Sequence, residues 1–366
     1  MHQCFWITLI LTTFCSEAIQ AQEKPDTIDT DRKGRIFGLP VVYSTPETDW
    51  AFGLAGIYSF HLDKRRPQPG TNVSQFQLAL VYTLNQQLLF YLPFDVFTSG
   101  NAYRINGEIG YYKYLYYYYG AGNDYKDYEG EIYRADFPRI RLNFMKRYGR
   151  HMYLGLRYWL EHYELREVVD NGLLDRKTVA GADGSFSAGI GPVLQLDSRD
   201  VIFYPKKGQL LEASLLFNTS WLGSDYLFTK FLFNGSRYFP LSPRMVLAVN
   251  AYLETNLGDT PFNQMALLGG TKKLRGYYEG RYRDKSLIIL QTELRFPVWK
   301  RFKGAIFGGA GMVSDQPFAF NTEHLRPAFG AGLRYLALKK EQIHIRLDLA
   351  WGQRSNAYYL TIGEAF

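Results

Sequence analysis

The sequence predicts an all-β protein: a transmembrane antiparallel barrel of about sixteen strands, closed by pairing of the first strand with the last. Three observations predict it. Several segments alternate strictly between apolar and polar residues. Aromatic residues make up 17% of the chain, with 29 Tyr and 26 Phe. No apolar run reaches the ~18 residues of a spanning helix, so any crossing must be made by strands, in which only every second residue meets lipid.

In chain order, the first element is a short apolar run, Phe5–Leu11, which leads to the small residue Ala21. Residues 1–21 therefore read as a signal peptide. Both cysteines, Cys4 and Cys15, fall inside it, so the mature chain is expected to have no disulfide and no thiolate chemistry. Residues 22–36 are polar and aperiodic and read as a periplasmic tail. Residues 37–366 read as the barrel, with a long loop over 257–285 expected to fold inward.

The strands follow from period-two patterning. Over Met245–Asn256, Leu247, Val249, Ala251 and Leu253 oppose Ala248, Asn250, Tyr252 and Glu254. Over Gln342–Trp351, Ile343, Ile345, Leu347 and Leu349 oppose His344, Arg346 and Asp348. The second face carries charges in mid-strand, as a barrel lumen would. Candidate strands centre on Val41, Ala55, Leu78, Leu92, Ile109, Ile140, Leu156, Ile190, Leu215, Phe231, Val249, Leu290, Ile306, Gly332, Leu347 and Ile362. Aromatics gather at strand ends, as in Tyr116–Tyr119, Tyr238-Phe239, Trp299 and Phe302, which is the pattern of interfacial girdles. Short links such as 148–150 and 338–341 alternate with long ones such as 167–183 and 315–326. This puts the short turns in the periplasm and the long loops outside. The first two hairpins break the rule, with a long link at 63–71 and a short one at 84–87.

Motifs for catalysis are lacking. Gly184-Ser185-Phe186-Ser187-Ala188-Gly189 has one residue too many for a nucleophile elbow. Gly269-Gly270-Thr271-Lys272 lacks the spacing of a phosphate loop. The six His show no metal-ligand spacing, so neither enzyme activity, metal nor cofactor is expected. A net charge of +7 is modest for 366 residues and does not point to nucleic acid.

The long loop stands out. Residues 269–285, GGTKKLRGYYEGRYRDK, carry six Lys/Arg against two acids. On the following strand Gln291, Glu293 and Arg295 share the polar face. An Arg from an inward-folding loop would reach Glu293 and form a short, poorly screened pair.

Here the residues resemble the outer-membrane insertase superfamily, also called the bacterial surface antigen family, which includes Bam- and Tam-like barrels and two-partner secretion transporters. Leu274-Arg275-Gly276-Tyr277 is similar to its (V/L)RG(F/Y) motif. Gln291–Phe296, Asp197-Ser198-Arg199-Asp200 with Tyr204–Gly208, Tyr118–Asn123 and Tyr358–Phe366 are similar to further elements in the right order. The resemblance implies a sixteen-stranded barrel with Arg275 as a lumen latch and Glu293 as its wall partner. It also implies a C-terminal assembly signal containing Tyr359, Gly363 and Phe366, read by the barrel-assembly machinery. Gly309 stands where the family carries an Asp on the thirteenth strand, which leaves Glu293 as the one expected wall carboxylate. Residues 22–36 are too few for a POTRA domain, so periplasmic or lipoprotein partner subunits are the expected source of client binding. Outer-membrane lipids are the expected surroundings. The function implied is assistance to outer-membrane protein or lipid assembly or translocation by lateral opening. A passive pore, or a structural barrel that binds a partner, is the alternative.

Overall fold

The computed structural model describes residues 34–45, 49–62, 68, 70–123, 129–339 and 342–366. The expected signal peptide and nearly all of the tail lie outside these residues. The first strand begins at Arg35, inside the expected tail.

The chain forms β1 (Arg35–Thr45), β2 (Asp49–Phe60), β3 (Ser74–Thr83), β4 (Leu88–Phe97), β5 (Tyr103–Tyr118) and β6 (Glu131–Tyr148). There follow β7 (Met152–Glu167), β8 (Ser185–Asp197), β9 (Gly208–Asn218), β10 (Phe228–Ser242) and β11 (Met245–Gly258). A small hairpin, β12 (Ala266–Leu268) and β13 (Tyr282–Asp284), lies within the long loop. The last elements are β14 (Ser286–Trp299), β15 (Phe302–Ser314), β16 (Arg326–Leu338), β17 (Ile343–Gly352) and β18 (Ser355–Ile362). All but the hairpin form one 16-stranded antiparallel meander in chain order. Each of the sixteen centres read from the sequence falls in its own strand of this sheet.

Its polarity is inverted relative to a soluble protein. On β17, Leu347 and Leu349 are 44% and 49% exposed, while Arg346 and Asp348 are 1% and 0% exposed. On β14, Leu290 is 57% exposed and Glu293 fully buried. A sheet that turns leucine outward and arginine inward is stable only if its outer face meets lipid.

The irregular hairpins are as the sequence has them: the β2–β3 link spans residues 61–73, and the β3–β4 link only 84–87. The closure expected between first and last strands is a point of difference. Among the described residues β1 pairs with β2 and β18 with β17, and no ladder joins β1 to β18. β18 is short on the side that would meet β1: it has only eight residues, against eleven in β1, and Gly363, at φ 86, then turns the chain away from the sheet. The Gly363 N–H donates to the His344 carbonyl of β17 at 2.8 Å.

Candidate functional site

The site is built where the loop 259–285 re-enters the barrel and meets the inward faces of β14 to β18. Leu274 (φ 62) and Gly276 (φ 116) are both left-handed, which makes a sharp bend with Arg275 at its apex. Gly276 is required twice over: a Cβ there would sit 2.9 Å from the Trp351 carbonyl carbon and 3.0 Å from the Gly352 nitrogen. Leu274, Arg275 and Tyr277 are buried, at 1%, 2% and 0% exposure.

The Arg275 guanidinium is clamped by two carboxylates and a ring. Nη2 lies 2.7 Å from Glu293 Oε2, and Nη1 donates to Asp348 Oδ2 at 2.5 Å. Its central carbon lies 3.5 Å from the centre of the Phe307 ring. Glu293 also accepts from Arg295 Nε at 2.8 Å and Arg334 Nη2 at 3.0 Å. Arg334 Nη1 donates to Asp348 Oδ1 at 2.7 Å, and Arg346 Nε lies 3.5 Å from Asp348 Oδ2. Buried charge is tolerable only when paired and bonded in this way.

The expectation that Glu293 would stand alone is therefore corrected: Asp348 on β17 is the second carboxylate. Position 309 faces the same lumen, but a Cβ there would lie 2.5 Å from the Leu290 carbonyl oxygen and 2.7 Å from Gln291 Cβ. The neighbouring inward residue, Phe307, instead offers its ring to Arg275. The alternation over 342–351 had already placed Asp348 on a charged face; only its partner was not legible.

The residues expected as a C-terminal signal also converge here. The Gly276 N–H donates to the Tyr359 hydroxyl at 3.0 Å, and that hydroxyl donates to the Tyr277 carbonyl at 3.3 Å. The Tyr277 hydroxyl donates to the Pro327 carbonyl at 2.6 Å and accepts from the Gln353 N–H at 2.8 Å. Beyond Gly363 the chain points into the barrel. Glu364 Oε2 accepts from Arg334 Nε at 3.3 Å and lies 3.9 Å from Arg295 Nε. The Phe366 carbonyl accepts from Arg295 Nη2 at 2.8 Å, and its ring packs against Tyr238, Val246 and Ala248. Glu364 was not singled out in the sequence, because a terminal strand was expected to run straight.

A second group of contacts moors the loop to the facing wall. Glu161 on β7 accepts from Asn263 Nδ2 at 3.0 Å and Gln264 Nε2 at 2.8 Å, and its other oxygen accepts from Arg139 Nε at 2.6 Å. Lys230 on β10 donates to Glu254 at 2.5 Å and to the Gln264 carbonyl at 2.8 Å. Phe262 is fully buried among Tyr118, Tyr133 and Tyr163, with ring centres 5.3, 5.7 and 5.9 Å away. Tyr278 sits edge-on to Tyr117 and Tyr119, at 5.7 and 5.9 Å. The tyrosine run read as an interface anchor thus packs the loop.

From below, the β8–β9 turn enters the lumen. Asp200 Oδ1 accepts from the N–H groups of Val201, Lys206 and Lys207, which fixes the turn. Tyr204 is thereby placed 4.5 Å from the His344 ring and 3.6 Å from Lys303 Nζ. A cavity of about 370 Å³ remains between this turn, the loop and the C-terminal residues. Among the described residues no cluster of metal-ligating side chains occurs.

The Omp85 superfamily domain matches residues 72–366. The chain belongs to the Omp85 superfamily. It is an outer-membrane β-barrel protein of the Omp85 type. Among solved structures, the BamA barrel of Haemophilus ducreyi lacking POTRA domains 1–3 is similar, with a TM-score of 0.56 and 15% identity over 90% of this chain and 69% of that one. CdiB from Escherichia coli has a TM-score of 0.56 and 12% identity, over 90% of this chain and 61% of its own. CdiB from Acinetobacter baumannii has 0.52 and 10%, over 90% and 59%. This Omp85 chain thus spans less than two thirds of the length of either CdiB chain, and at these identities the likeness is one of fold. No curated protein matches the sequence.

Proposed function

We propose that this Omp85 barrel assists the assembly or translocation of outer-membrane proteins or lipids by parting between β1 and β18, with Arg275 as the latch that holds the lumen loop. One observation carries the reading. Arg334 joins Glu293 and Asp348, which hold Arg275, to Glu364 just past the end of β18. Loop position and the end of the seam strand are thus bound to one guanidinium, while β1 and β18 share no ladder among the described residues. Family membership and the likeness to BamA and CdiB barrels support the same class of activity. Partner subunits supplying client contacts belong to the proposal, as does the reading of the C-terminal residues by an assembly machinery. Since Phe366 ends packed inside, such reading precedes that packing. A loop that fills the lumen disfavours the passive pore.

The test is a disulfide across the seam. Cysteines scanned over residues 37–41 and 357–361 are oxidised in cells whose only copy carries the pair, and outer-membrane protein and lipid content is measured. Loss on oxidation with recovery on reduction is expected. Unchanged content with the seam fully cross-linked would overturn lateral opening. Affinity purification from native membranes tests the partner arm: a stable, stoichiometric periplasmic or lipoprotein subunit is expected, and its absence overturns that arm.

A further inference from the structure

Three turns at the short-turn rim, periplasmic by the orientation rule, share an unusual composition. The β6–β7 turn reads Met145–Met152, MKRYGRHM; the β10–β11 turn reads Ser236–Val246, SRYFPLSPRMV; the β14–β15 turn reads Phe296–Gly304, FPVWKRFKG. Each holds two or more Lys/Arg beside aromatics, and none holds an acid.

In each turn one cation sits over an outward-facing ring. Lys146 Nζ lies 5.9 Å from the Tyr148 ring centre, Arg237 Cζ 5.2 Å from Phe239, and Lys300 Nζ 4.5 Å from Trp299. The three rings are exposed, as are the three cations. Among the described residues none of the three cations is in an ion pair. Lys146 and Arg237 are not at the turn tips. Lys146 stands between Tyr103 and Leu154 on the lipid-facing side of the sheet, and Arg237 beside Val249. A soluble acidic partner would meet the tips; Lys146 and Arg237 instead stand on the apolar surface, with the outward pairs Tyr148/Met152 and Phe239/Leu247 between them and the tips, while Lys300 stands in its tip beside the exposed Trp299. Girdle aromatics sit at the depth of lipid headgroups, and a cation stacked on one is held at that depth.

We propose that Lys146, Arg237 and Lys300, each with its girdle ring, form binding sites for anionic phospholipid headgroups of the periplasmic leaflet. The phosphodiester of such a lipid, not offset by a headgroup ammonium, would pair with the cation, while the ring packs on the glycerol and upper acyl carbons. This holds whether or not the seam opens.

The full chain is purified from vesicles containing phosphatidylglycerol and phosphatidylcholine at equal amounts, and retained lipid is quantified by mass spectrometry. About tenfold enrichment of phosphatidylglycerol at low salt is expected, falling toward unity in high salt. The K146Q/R237Q/K300Q variant is expected to lose it, while R166Q/R176Q/K177Q, the same charge change at the opposite rim, keeps it. Heat-modifiable migration on gels checks that each variant folds. Bulk lipid ratios for the wild type, or enrichment unchanged in the first triple variant, would overturn the proposal. So would an acidic protein whose capture depends on these cations while lipid ratios stay at bulk.

Discussion

Arg275 and Asp348, 73 residues apart, meet through a 2.5 Å hydrogen bond in the middle of the barrel. Both are almost fully inaccessible to solvent. In that setting a missing partner matters more than a present one, because the remaining charges stay buried. Asp348→Asn is expected to destabilise the barrel by about 3–5 kcal/mol. Glu293→Gln should cost a similar amount, since three guanidiniums surround each carboxylate. Urea unfolding in detergent, followed by gel mobility, checks both. Values near zero would mean that the cluster is more solvated than its burial implies.

Gly309→Asp should not rescue Asp348→Asn. A side chain at 309 meets the Leu290 carbonyl oxygen and Gln291 before it reaches Arg275. The expected outcome is a further loss of stability in the double variant, by the same unfolding measurement. Recovery of wild-type stability would show that the β14–β15 spacing yields to an added side chain.

The strands were legible because lipid outside and charge inside impose a strict two-residue period, as at Leu347, Asp348 and Leu349. Arg275 and Glu293 were legible through their motif. Asp348 as the second partner was not, because β15 and β17 are separated by β16, and only the curvature of the sheet around the lumen brings their inward faces to one guanidinium. The inward turn at Gly363 was missed for a related reason: a glycine near a strand end has no periodic signature, and its left-handed φ is set by what Glu364 and Phe366 find inside.

Two moorings hold the loop, so loss of one should not free it. Arg275→Ala removes the contacts to Glu293 and Asp348 but leaves Asn263 and Gln264 on Glu161. Single-channel recordings are expected to show a small conductance rise for Arg275→Ala and a large one for Arg275→Ala with Glu161→Gln. A wide pore from Arg275→Ala alone would reduce the second mooring to packing.

Asp284 gives the loop a pH dependence. It lies on β13 in the loop, buried, and burial first, then the neighbouring Asp315 charge, push its carboxyl up from 3.8 to about 6. A raised carboxyl binds its proton more tightly in the folded state. Its contribution to loop stability is therefore full below 3.8 and is lost as pH rises through about 6. Protease cleavage within 259–285 should be faster at pH 8 than at pH 5 after correction for protease activity, and Asp284→Asn should flatten the difference.

Tyr359 ties the last strand to the loop through one oxygen, which accepts from the Gly276 N–H and donates to the Tyr277 carbonyl. Tyr359→Phe keeps the ring and removes both bonds. It leaves a buried backbone N–H without its partner, at a cost of about 1–3 kcal/mol. The loss falls on the contact between β18 and the loop, so it should appear locally. Hydrogen exchange at Gly276 and its neighbours is expected to speed up by about tenfold or more, with the β6–β7 hairpin unchanged. Seam cross-linking between residues 37–41 and 357–361 should change in parallel if the loop restrains β18. Faster exchange at Gly276 with unaltered cross-linking would separate the two, leaving Tyr359 as a support of the bend at Gly276 and placing control of the seam on Glu364 and Arg334.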